Sequence, residues 1–182
     1  QQMATVLEEA IRHKGFSVVE VMTPCPTYFG RKNKEGSAVD MMEKLKAIRA
    51  NVMAHPTARE FLIGGQGQNE VSIVWIDQET GVLCKARLDR VNLIRHTGAL
   101  RTDLPVGSEI TMIADLKTIG EAATLRAFEK AAYNFGYFEQ AAMYRDGVQA
   151  IEPSGEDRPF VWAVVATEPP HAIHCFDPDD LA

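Results

Sequence analysis

An α/β fold with a mixed central sheet flanked by helices, plus a short αβα appendage at the N-terminus, is what this chain is expected to form. Three observations predict it. Between residues 69 and 116 lie three runs rich in β-branched and apolar residues, "NEVSIVWID", "VLCKARLDRV" and "EITMIAD". Helical periodicity then takes over through "AATLRAFEKAAYNF" and "YFEQAAMYRDG". The apolar run "FVWAVVAT" follows as a further buried strand, so the order is strand, strand, strand, helices, strand.

The elements can be justified in turn. "MATVLEEAIRH" carries apolar residues at helical spacing and stops at Gly15, after which "SVVEVM" reads as a short strand. The loop "TPCPTYFGRKNKEG" precedes Ser37 and Asp40, whose spacing caps a helix with Val39, Met42, Leu45 and Ile48 on one face, running toward Met53. "HPTAREFL" is a second helix with Pro56 in its first turn, and "GGQGQ" reads as a loop. "QETG" joins the first two strands of the central run as a hairpin. Thr118 and Glu121 have capping-box spacing, which predicts a helix starting just beyond Lys117 and broken near Gly136. The end, "EPPHAIHCFDPDDLA", reads as irregular.

Composition bounds the function. With 182 residues, 46% of them hydrophobic, the chain can bury one core of ordinary size. A formal charge of −6 argues against polyanion binding through the overall field, but not through a local basic patch or bound metal ions. Cys25, Cys84 and Cys175 are odd in number and widely spaced, which fits a reducing compartment rather than a disulfide framework. No apolar run approaches the roughly 20 residues that span a bilayer. Glu8 and Glu9 stand where a signal peptide would be uncharged, so a cytoplasmic protein is expected.

The chemistry gathers around Asp89, Asp115 and Lys117. Asp115 and Lys117 are two apart, so they project from one face of a strand, and Asp89 can join them from the neighbouring strand. Two close carboxylates repel unless a divalent cation sits between them, and oxygen ligands suit magnesium or manganese. A lysine beside such a site can orient or deprotonate a water while the metal polarises a phosphoryl oxygen, which suits phosphodiester hydrolysis. On spacing alone the same residues also form a strand-end ion pair worth under about 1 kcal/mol, with Asp89 bridging to Arg87 or Arg90.

"LCKARLDRV", "IADLKT" and "GYFEQAAMYRDG" together resemble the PDDEXK nuclease superfamily, in its exodeoxyribonuclease VIII-like branch, from about His55 to the C-terminus. The resemblance implies a restriction-endonuclease-like core and a metal-dependent exonuclease acting at double-stranded DNA ends. It implies Mg2+ or Mn2+ at Asp89, Asp115, Glu70 and Leu116, with Lys117 assisting the water. Gln140 and Tyr144 match the family's Q-x-x-x-Y word, and four residues apart they share a helix face. His55 and Glu70 resemble the upstream histidine and acidic positions; read locally, they are a helix N-terminal residue and a strand end. A recombination partner protein and a homo-oligomer are also implied. Two features depart from the pattern. The connection holding "RHTGALRTDLPVG" looks long for a hairpin, and the chain stops where the family continues into another helical segment.

Residues 12–46 resemble a different family, the beta subunit of 2-oxoacid:ferredoxin oxidoreductases near the end of its thiamine-diphosphate-binding domain. There the "PCPT" cysteine, here Cys25, can be an iron–sulfur ligand; a four-iron cluster needs about four thiolates, and no other cysteine of that pattern is present. The expected division is therefore 1–46, oxidoreductase-beta-subunit-like, and 47–182, exonuclease-like. A gene fusion or the joining of two unrelated sequences would produce such a junction. Two alternatives to the nuclease stay open: an oxidoreductase fragment, or an inactive DNA-binding domain. The "HAIH" pair suggests zinc only superficially, since i and i+3 in a strand face opposite ways. Met41, Met42 and the aromatic positions 128, 133 and 137 read as core.

Overall fold

A computed structural model describes residues 2–15, 17, 19, 36–98, 100, 104–154 and 158–181. The strand expected over 17–22 falls largely outside them, and Cys25 entirely so. The chain divides into two compact units, Gln1–Leu45 and Lys46–Ala182.

In the first unit, helix α1 (Gln2–Arg12) carries a Glu8–Arg12 ion pair one turn apart. Helix α2 (Ala38–Ala54), whose residues from Lys46 on belong to the second unit, starts as its capping signal predicts. Asp40 Oδ2 accepts from the Ser37 N–H at 2.7 Å, and the Asp40 N–H donates to Ser37 Oγ at 3.3 Å. Each residue satisfies a backbone or side-chain donor of the other, which is the purpose of a capping box.

In the second unit, helix α3 (Pro56–Leu62) leads into five strands: β1 (Gln66–Ile76), β2 (Leu83–Arg95), β3 (Glu109–Ile119), β4 (Phe160–Ala166) and β5 (Ile173–Phe176). Helices α4 (Leu125–Phe135) and α5 (Tyr137–Ile151) connect β3 to β4, and a 3-10 turn over Pro178–Leu181 closes the described chain. The strands lie in sequence order in one sheet. β1, β2 and β3 pair antiparallel, β3 and β4 parallel, and β4 and β5 antiparallel. The parallel pair requires a long crossover, and α4 with α5 supplies it.

Helices cover both sheet faces. Phe128, Ala132, Ala141 and Val148 of α4 and α5 pack with Leu88, Ile113, Trp162 and Val164 on one face. Phe61 and Ala58 of α3 pack with Met112, Ala114, Val161 and Val165 on the other. β4 is covered on both sides and is buried throughout, which explains its unbroken apolar run. α5 approaches β1 closely because residue 147 is glycine. A Cβ there would lie 2.6 Å from Ile73 Cδ1 and 2.8 Å from Trp75 Cζ3.

Four local expectations are corrected. β3 continues to Ile119, and α4 begins at Leu125 with Thr124 as N-cap, its hydroxyl accepting from the Ala127 N–H at 3.3 Å. Pairing with β4 carries Thr118 and Ile119 in the sheet and overrides the capping spacing at Thr118 and Glu121. "GGQGQ" is half strand, since β1 starts at Gln66 and Gly67 lies against the Arg90 guanidinium, where a Cβ would meet Arg90 Cζ at 2.7 Å. The end of the chain contains β5, which pairs with β4. The long connection after β2 is a hairpin loop: Arg95 faces Glu109, and the His96 N–H donates to Ser108 O at 2.8 Å. Of the "HAIH" histidines, His171 is buried beside Ala166 O and His174 is exposed on β5.

Candidate active site

The side-chain alternation of β1 and β2 changes phase at one place. Toward α5, β1 presents Gln66 and Gln68 but then Val71 and Ile73; β2 presents Ala86 and Leu88 but then Val91 and Leu93. A strand of unbroken alternation keeps one parity on one face. Both strands therefore switch between these pairs. The register is the same on either side, Asn69 facing Arg90 and Val71 facing Leu88, so the switch lies in the step between them, at Glu70 and Asp89, which the ladder leaves unpaired. Glu70 has φ +56°, a left-handed conformation that costs a non-glycine residue about 1–3 kcal/mol and persists only where its surroundings impose it.

The switch sends Arg90 and Asn92 toward α3. The Arg90 guanidinium donates to Gly64 O at 2.6 Å and Asn69 Oδ1 at 2.7 Å, and the Asn92 amide donates to Glu60 O and Phe61 O at 3.2 and 3.3 Å. These bonds take up carbonyls at the C-terminal end of α3 that the helix leaves unsatisfied. Arg90 is buried, which lowers its pKa.

β2 and β3 pair from Arg95↔Glu109 to Arg90↔Ala114 and no further. The odd-numbered residues of β3 bond to the β4 side, as Ile113 N–H does to Pro159 O and Ile119 O does from the Thr167 N–H. The Leu116 backbone therefore faces the opening toward β2. Its N–H donates to Asp89 Oδ2 at 2.9 Å. Asp89 thus stands beside the Asp115–Leu116 peptide.

Asp115 is 2% exposed. Burial pushes its carboxyl above the usual range; Lys117 opposes this by hydrogen bonding and charge, and the Asp89 carboxylate adds to the rise. Lys117 Nζ forms an ion pair with the buried Asp115 Oδ2. The lysine is held from two further sides. It donates to Gln140 Oε1 at 2.9 Å and sits 4.6 Å from the centroid of the Tyr137 ring. The Gln140 amide nitrogen donates to Tyr144 Oη at 2.9 Å. Burial raises the Tyr144 phenol, Gln140 partly offsets that, and the charges of Asp115 and Asp89 raise it further.

Five predicted site residues, Asp89, Asp115, Lys117, Gln140 and Tyr144, therefore form one connected constellation, with the Leu116 backbone between the carboxylates. Glu70 lies at the same break in the β1–β2 ladder as Asp89, but its exposed carboxylate is 2.6 Å from Arg87 Nε. His55 is the N-cap of α3: its Nδ1 accepts from the Ala58 N–H at 3.1 Å, on the helix that covers the other face of the sheet. Tyr137 packs half-buried against the core as expected, stacked on Phe128, and its ring also lies under Lys117, whereas Tyr133, expected in the core as well, is exposed. The signal for the Tyr137 contact with Lys117 was present in the sequence, because 137, 140 and 144 fall at i, i+3 and i+7 on one helix face.

A mixed sheet with helices on both faces, carrying D…D-x-K on adjacent strands and Q-x-x-x-Y on the helix above, defines the PDDEXK-like class. The chain belongs to the family described as "PDDEXK-like domain of unknown function (DUF3799)", whose model matches residues 4–181. In fold it is similar to a crystal structure named "Putative exonuclease" from Eubacterium rectale, at TM-score 0.54 and 18% identity over 84% of this chain and 53% of that one.

A shorter likeness joins it to "2-oxoglutarate synthase subunit KorB". It is 44% identical over 50 residues to the protein of Methanothermobacter marburgensis, and 40% over 45 residues to that of Methanocaldococcus jannaschii. These stretches are 28% and 25% of this chain, and 18% and 17% of those subunits. The chain spans under a fifth of the curated relatives it matches, and about half of the solved structure. The short likeness fits the resemblance carried by residues 12–46. No described helix is long and apolar enough to cross a membrane.

Proposed function

We propose that this protein is a metal-dependent DNA exonuclease that hydrolyses phosphodiester bonds at duplex ends. The observation that carries the reading is the meeting of Asp89, a buried Asp115 and a restrained Lys117 where β2 and β3 separate.

The donor set fits a hard divalent cation. Two carboxylates and the Leu116 carbonyl are oxygen ligands of the kind magnesium and manganese take, and magnesium retains several waters. Among the described residues no three His, Cys, Asp or Glu side chains are grouped to hold a metal ion. Glu70 would have to release Arg87 to become a third carboxylate. When bound, the cation would supply Lewis-acid polarisation of a phosphoryl oxygen and charge stabilisation at the leaving oxygen.

The protein's own residues supply the rest. Asp115 and Asp89 hold negative charge at a fixed place, and Lys117 orients the attacking water and places a positive charge beside the phosphoryl group. Gln140 and Tyr137 restrict where the ammonium can go, and Tyr144 fixes the orientation of the Gln140 amide. Restraint of this kind holds a catalytic group near its productive position before substrate arrives.

In this reading residues 47–182 form the nuclease domain, and residues 1–46 are an appended oxidoreductase-beta-subunit-like segment, supported by the short KorB likeness. A homo-oligomer and a recombination partner rest on family resemblance alone. The test is loss of linear duplex DNA in Mg2+ or Mn2+, with EDTA and a closed circular duplex as comparisons. Cleavage of linear DNA only, lost with EDTA and in Asp115→Ala, is expected; no metal-dependent cleavage, or cleavage unchanged in Asp115→Ala, refutes the reading.

A further inference from the structure

We infer that Tyr137 is a further positioning residue of the hydrolytic site: with Gln140 it forms a seat that keeps Lys117 in place when Asp115 gives up its ion pair with the lysine. This rests on the reading of Asp89, Asp115 and Lys117 as that site. Lys117 Nζ pairs with Asp115 Oδ2, and Asp115 is one of the two carboxylates that would hold a divalent cation. A dication on either oxygen of that carboxylate repels the ammonium. Lys117 has a flexible four-carbon stem and would turn to solvent if Asp115 alone held it.

Two contacts of the lysine do not depend on Asp115. Lys117 Nζ donates to Gln140 Oε1 at 2.9 Å and stands 4.6 Å from the centroid of the Tyr137 ring. Both partners come from the start of α5, three residues apart on one face, so ring and amide meet the same ammonium. Gly136, with φ +67°, ends α4 and caps α5, which lets α5 begin at Tyr137 itself. The ring is held in turn: Phe128, 1% exposed, stacks on it with centroids 5.9 Å apart and planes 27° apart. The Lys117 side chain is 15% exposed, and an ammonium so far withdrawn from water gains more from an aromatic face than one at the surface. An aromatic ring is no ligand for magnesium or manganese, which take oxygen, so the Tyr137 contact is one that metal binding leaves to the lysine.

The experiment reads the Lys117 ε-methylene signal by carbon–proton correlation NMR in the full chain, without metal or DNA. A lysine over a ring face resonates upfield of ordinary lysines, and the absence of the signal in Lys117→Ala assigns it. Asp115→Asn removes the ion pair and keeps the shape of the side chain; Asp115→Ala takes its place if that variant does not fold. The upfield shift should persist in this background, and also when Tyr137→Phe is added, since Phe keeps the ring. A signal at the ordinary lysine position would mean that the ion pair alone places Lys117, and the seat is then refuted. In cleavage at saturating Mg2+, Tyr137→Leu should lower kcat about tenfold with KM for DNA and the Mg2+ dependence unchanged, while Tyr137→Phe retains the parent rate. Cleavage by Tyr137→Leu at the parent rate overturns the role of Tyr137. The shift is read without DNA, so a chain that never cleaves refutes only the nuclease reading, and a retained shift still supports the seat.

Discussion

The amide oxygen of Gln140 accepts a hydrogen bond from Lys117 Nζ at 2.9 Å across the gap between α5 and β3. It fixes both ends of a functional pair. The amide nitrogen is thereby directed at Tyr144 Oη, also 2.9 Å away, so that lysine, glutamine and tyrosine act as one chain.

Lys117→Ala should lower cleavage by about 10² to 10⁴, the range for a positioned proton-transfer group, and leave the metal concentration for half-maximal rate nearly unchanged. Asp115→Ala should behave differently, losing metal affinity as well as rate, with partial recovery in excess metal. Rates measured across a Mg2+ titration separate the two. Equal cleavage by Lys117→Ala would leave "DLK" as a structural ion pair.

Gln140 and Tyr144 act in series, so their losses should not add. Gln140→Ala should reduce kcat about tenfold with little change in KM, and Tyr144→Phe should reduce it less. The double variant should match Gln140→Ala alone, because Tyr144 acts through the amide that has been removed. Additive losses would instead show that Tyr144 contacts the substrate independently.

Gly147→Ala places a methyl group 2.6 Å from Ile73 Cδ1 and 2.9 Å from Trp75 Cη2. Overpacking of this kind costs about 1–3 kcal/mol. Urea unfolding should show a lower midpoint, and because α5 carries Gln140 and Tyr144, cleavage at saturating metal should fall as well. A midpoint equal to the parent's would mean that α5 shifts off β1 freely.

Burial pushes the Cys175 thiol up to about 11. The folded value lies above the ordinary one, so the stability linked to this group is fully present below about pH 9 and is lost as pH rises toward 11. Unfolding free energy measured over that window should fall more steeply for the parent than for Cys175→Ala. Alkylation of Cys175 at pH 8, followed by peptide mass analysis, should be slower in the native protein than in urea.

Much of the site was legible because it is written in short periods. Asp115 and Lys117 share a strand face at spacing 2, and Gln140 and Tyr144 share a helix face at spacing 4; both relations hold wherever those elements stand. The "QETG" hairpin, the Ser37–Asp40 cap and the break at Gly136, whose φ of +67° a glycine adopts without strain, are equally local. Each needs only neighbours within a few residues.

Other features depended on residues far along the chain. Thr118 has a capping spacing, but β4 pairs with it and keeps it in the sheet; Gln66 follows two glycines, but β2 draws it into β1. The phase switch at Glu70 and Asp89 has no signature within either strand, because it exists only when α3 takes Arg90 and Asn92 on one side while α5 covers Val91 and Leu93 on the other. That switch, with the end of β2–β3 pairing at Ala114, is what leaves Asp89 facing the Leu116 N–H. The sequence by itself determined which residue types share a face. Only the tertiary structure decided which strands stand together, where their pairing stops and which acids remain beside the lysine, since those are contacts across long separations that local periodicity does not encode.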